Sequence, residues 1–170
     1  PRAPNFGGIW EAGVKSFKFY FKRVVGTTKL TYEEFLTVSN QIESILNSRP
    51  LTPLSADPSD LNVLTPAHFL IGRSMTAIAE PEINVPLNRL SRWKLLTKFV
   101  QAIWKNWKRD YLNNLQQRYK WNFKKSNIVP GSMAILKEDN TPVCNWPLCR
   151  IIKVIKGRDN IVRVAIFRTS

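Results

Sequence analysis

The sequence is poorest in the residues that build metal and redox sites. It has two cysteines, Cys144 and Cys149, and one histidine, His68, in 170 residues. That is too few for a zinc cluster, and the histidine lies far from the cysteines in sequence. A disulfide framework is not expected, so a reducing compartment is the default. No apolar run approaches the roughly 20 residues that cross a bilayer, so no membrane-spanning segment is expected. No uninterrupted apolar core follows Arg2, so these first residues are not expected to be a secretory signal. The chain begins at Pro1 rather than Met, which leads us to expect a fragment or a processed product.

Acid is the other scarcity. Twelve Asp and Glu face twenty-six Lys and Arg, for a formal charge of +14. Residues 1–87 are balanced, with eight of each sign, whereas residues 88–170 hold eighteen cations against four acids. The charge points to a polyanionic partner or an anionic membrane surface, and an excess confined to one half is a poor solubility device; nucleic acid, not a membrane, is the partner expected. Apolar residues make up 44% of the chain, including six Trp and nine Phe, enough to bury a core.

Local patterns predict an α+β chain. Trp10, Val14, Phe17, Phe21 and Val24 recur at steps of four and three, which predicts a helix over 8–25 with these five on a buried stripe and Gly26 as its stop. Thr31 and Glu34 form a capping box for a second helix over about 32–48, ended by Arg49 and Pro50. Thr65 and Pro66 start a short helical turn through Ile71, closed by Gly72, and 73–87 reads as a linker. Residues 88–121 lack Gly and Pro and carry the stripe Trp93, Leu96, Val100, Ile103, Trp107 and Tyr111. They predict a long basic helix of roughly 45 Å. Strands follow over 133–136, 148–155 and 161–167, a small barrel that the chain end leaves unfinished.

Glu11, Lys15, Lys18 and Lys22 fall at steps of four, three and four, so they share a helix face. A carboxylate followed by ammonium groups suits phosphodiester chemistry: the carboxylate ligates a hard cation and the lysines hold the DNA backbone. The plainer reading is a solvated face with supporting Glu–Lys pairs. On the long helix Arg92, Lys94, Lys98, Lys105, Lys108 and Arg109 are interleaved with tryptophans, and Arg150, Lys153 and Arg163 lie on the strands. These are the candidate DNA-binding residues, by counterion release and by stacking on unpaired bases. The tryptophans also fit a buried core, because their spacing is helical. Structural roles are expected for His68, Cys144 and Cys149, and helix-dipole complementarity for Glu33 and Glu34.

The segment PNFGGIWEAGVKSFK (residues 4–18) resembles the region around the last acidic residue in integrases of the Pao/BEL type of LTR retrotransposons. LTYEEF (30–35), QIESILNSRPL (41–51) and LTPAHFLIG (64–72) are similar to the same family. Trp93 to Trp107, Tyr119 to Trp121 and Trp146 to Val164 resemble the uncharacterised domain that follows its catalytic core. The resemblance implies that 1–72 is the helical end of an RNase H-like core, 73–87 a linker, 88–125 a basic helix and 126–170 an SH3-like antiparallel barrel.

It further implies an Asp, Asp, Glu triad holding Mg2+ or Mn2+, with Glu11 as the third member and Lys15 and Lys18 near the DNA end. Homo-oligomers, element and target DNA as partners, and a nuclear or element-particle location inside the cell follow for the full-length enzyme. Both aspartates precede the glutamate in that family, and no acid precedes Glu11 here. The polypeptide alone is therefore expected to be inactive and to need no cofactor. Two alternatives remain: a nucleic-acid-binding module from a decayed or domesticated element, and a small-barrel protein-interaction module.

Overall fold

A computed structural model describes residues 7–116 and 126–169. The first helix, α1, spans Gly8–Val25 and ends where Gly26 takes a positive φ of 58° and donates its N–H to the Lys22 carbonyl. Helix α2, Tyr32–Asn47, starts at the expected capping box. The Glu34 N–H donates to Thr31 Oγ1 at 3.3 Å, and the Thr31 N–H donates to Glu34 Oε2 at 2.8 Å. Beyond Pro50 the chain makes a short antiparallel ladder of β1, Thr52–Pro53, and β2, Val63–Leu64. Helix α3, Pro66–Ile71, closes on Gly72 at φ 73°. His68 is structural as expected, its Nδ1 accepting from the Thr65 N–H at 3.0 Å.

The long helix is α4, Arg92–Leu115, preceded by a 3-10 turn at Leu87–Arg89. It starts later than the sequence predicts because Ser91 takes the extended conformation of an N-cap. The rest of the expected helix, residues 117–125, lies outside the described residues. Strands β3, Met133–Ile135, β4, Leu148–Lys156, and β5, Val162–Thr169, form an antiparallel sheet in that order. The β4–β5 register shifts between Ile151 and Lys153 and again between Ile155 and Lys156. The expected barrel is not closed: these three strands form an open sheet.

The core has α4 at its centre. Leu96, Phe99, Val100, Ile103 and Trp104 are buried against Tyr20 and Val25 of α1, Val38, Ile42 and Ile45 of α2, and Trp146 before β4. Each fully buried isoleucine among them contributes about 1.5–3 kcal/mol. Trp104 and Trp146 meet edge to face at 4.9 Å, and Tyr111 meets Trp146 at 5.3 Å. The Trp146 indole N–H donates to Ser48 Oγ at 3.1 Å. Helices and strands therefore share one apolar interior.

Three expectations change. Trp10 and Val14 are 65% and 48% exposed, since α1 enters the core only from Phe17 onward, where Tyr20 and Val25 take the buried positions. Trp93 is 60% exposed and does not join the buried stripe of α4. The stretch 73–87 is not a free linker, because its second half is tied to α4. The Ile83 N–H donates to Gln101 Oε1 at 3.1 Å, Gln101 Nε2 donates to the Pro81 carbonyl at 2.9 Å, and Lys98 Nζ donates to the Val85 carbonyl at 2.5 Å.

Candidate nucleic-acid interface

Helix α1 carries Glu11 in its first turn and Lys15, Lys18 and Lys22 behind it, all exposed. Helical side chains lean toward the N-terminus, and the Glu11 side chain lies back over Gly7. A Cβ there would stand 2.6 Å from Glu11 Oε1, so a larger residue at position 7 would displace this flexible carboxylate. Among the described residues no salt bridge joins Glu11 to the lysines. Nor do any three His, Cys, Asp or Glu side chains cluster.

The cations of α4 divide by what they touch. Arg92 grips Glu34 with two hydrogen bonds, Nε to Oε1 at 2.5 Å and Nη2 to Oε2 at 2.7 Å, and also donates to the Lys29 carbonyl. This clamp holds the start of α4 to the start of α2, and the guanidinium keeps the Glu34 carboxyl down at about 2. Lys108 is buried and donates to the Glu138 carbonyl at 2.6 Å and Thr141 Oγ1 at 2.7 Å. Burial lowers its pKa. Lys98 holds the strap described above, and Arg109 makes a loose contact of 3.4 Å with Asp110. Lys94 and Lys105 are exposed, with no hydrogen bond or ion pair among the described residues.

On the sheet, Arg150 is 4% exposed. Its Nη1 donates to the Gly131 carbonyl, and its Nη2 sits 2.8–3.1 Å from the carbonyls of Ser55, Asp57 and Asp60. Its Nε has no partner among the described residues. Arg150 is a pin between the sheet and the 55–60 loop, and its guanidinium is not available to a phosphate. Arg163 pairs with Asp159 across the β4–β5 turn at 2.6 Å, while Lys153 is exposed. Burial pushes the Cys144 and Cys149 thiols up, which suits the packing role expected of them.

Of the sequence candidates, the structure leaves Lys15, Lys18, Lys22, Lys94, Lys105 and Lys153 exposed and without an ion pair among the described residues. Sequence reasoning missed a groove of about 360 Å3 beside α4, between Trp93, Trp104 and Lys105 on one side and residues 76–82 on the other. Its one sequence signal is Ile78, an apolar residue in an otherwise turn-rich stretch, which is 88% exposed.

Residues 91–170, which begin just ahead of α4 and take in the whole three-stranded sheet, match a protein family of unknown function (DUF5641). Neither the curated proteins nor the solved structures include a match to the chain. No described helix is long and apolar enough to cross a membrane.

Proposed function

We propose that this chain is a nucleic-acid-binding part of an integrase-type polynucleotidyl transferase, acting on DNA within a larger protein. The observation that supports this reading best is the set of six exposed lysines on α1, α4 and β4 without an ion pair among the described residues, in a chain of formal charge +14. An unpaired ammonium at the surface exchanges its counterions for phosphates, whereas Arg92, Lys108 and Arg150 already serve the fold. Helix α1 is the catalytic contribution in this proposal. Glu11 stands exposed at its start, where it can join two aspartates and Mg2+ or Mn2+ supplied in a longer protein, and Lys15 and Lys18 lie one and two turns behind it. Self-association and a nuclear or element-particle location follow from the same proposal.

The test is duplex-DNA binding by Lys15→Ala, Lys94→Ala and Lys153→Ala. Each is expected to leave the fold intact and to reduce the slope of log K against log salt by about 1. Unchanged slopes in all three would remove these lysines from the interface.

A further inference from the structure

The groove beside α4 combines three chemistries in one recess. Trp93, 60% exposed, stands at one end, and the buried Trp104 lies further along the same helix side. Lys105, exposed and without an ion pair among the described residues, lies about 18 Å along the helix from Trp93. Glu80 and Glu82 stand on the facing wall, and Gln41 of α2 contributes an amide. That wall is held in place by the two hydrogen bonds of Gln101 to Pro81 and Ile83.

We infer that this groove takes an unpaired base of a single-stranded DNA segment, an inference that rests on the nucleic-acid reading above. Charge complementarity selects the occupant. Two carboxylates repel a phosphate backbone from the 76–82 wall but accept N–H groups from a base edge, while Lys105 offers the opposite wall to a phosphate. The exposed indole of Trp93 supplies a face for stacking, a contact worth about 1–3 kcal/mol per base. At about 360 Å3 the recess lies at the small end of ligand sites and excludes a duplex. Adenine, cytosine and guanine offer a carboxylate an exocyclic amine with two hydrogens, whereas unpaired thymine offers only its single ring N3–H.

Fluorescence-anisotropy titration of the whole chain with short homopolymeric DNA strands, and with a duplex of the same length, tests the inference. Trp93→Ala is expected to weaken single-strand binding about tenfold and to change duplex binding less than about twofold, while Trp93→Phe retains most of it. Oligo-dT is expected to bind weakest, and Glu80→Gln with Glu82→Gln to narrow its gap from the other strands. If Trp93→Ala weakens duplex and single strands alike, or neither, the groove does not hold a base. If single strands bind through Trp93 but duplex does not bind, the groove stands and the duplex-binding surface falls. If no DNA binds, both fall.

Discussion

Glu34 shows how one side chain can serve two elements. Its carboxylate caps α2 through the Thr31 N–H and holds Arg92 at the start of α4. The Arg92 hydrogen bond, followed by the backbone bond at Thr31, lowers its pKa from 4.5 to about 2. A folded-state pKa below the unfolded value means that the stabilisation is present above about pH 4.5 and lost as pH falls toward 2. Glu34→Gln should therefore reduce stability at neutral pH and flatten its dependence across that window, with wild type and variant converging near pH 2 in acid titrations of the circular dichroism. A variant whose acid profile parallels the wild type would show that the clamp contributes nothing. Arg150 makes a larger claim. Arg150→Met leaves the carbonyls of Gly131, Ser55 and Asp60 without their donor, and that of Asp57 with only the Asp60 N–H, and should cost about 3 kcal/mol in urea unfolding. A change within about 0.5 kcal/mol would contradict the pin. Sequence shows that these residues are charged but not what they face. Arg150 alternates with apolar neighbours as a solvent-facing strand residue does, yet its outer side is covered by a loop ninety residues earlier in the chain.

At the scale of elements, local chemistry was the most legible. Gly26, the Thr31 box, Thr65 with Pro66 and Gly72 mark the helix ends where the structure has them, because caps and glycine turns act within a few residues. Strands β3, β4 and β5 fall within one or two residues of their expected positions, whereas the two-residue β1 and β2, too short to show an alternation, were not expected. What escaped the sequence depends on contacts between distant residues. Whether Trp10, Val14 and Trp93 are buried is decided by how far α1 and α4 overlap their neighbours, which periodicity does not specify. The strap at 81–85 escaped for the same reason, since Gln101 reaches it across eighteen and twenty residues of chain. Gln101→Ala should release the strap: exchange of the Ile83 amide should quicken about tenfold while amides inside α4 keep their protection. Unchanged protection at Ile83 would mean that the strap is held by something else.

Across the whole molecule, neutral and basic halves are joined by one interior. The edge-to-face pairs Trp104–Trp146 and Tyr111–Trp146, with the bond from Trp146 to Ser48, link the strand region to α2 and α4. Exposed charge is the property that remains for a partner. The most direct measurement of the central claim is the affinity of the whole chain for duplex DNA across a range of salt concentrations. With the six exposed lysines engaged, log K should fall against log salt with a slope of about −5. A slope near zero, or no binding at low salt, would contradict the nucleic-acid reading.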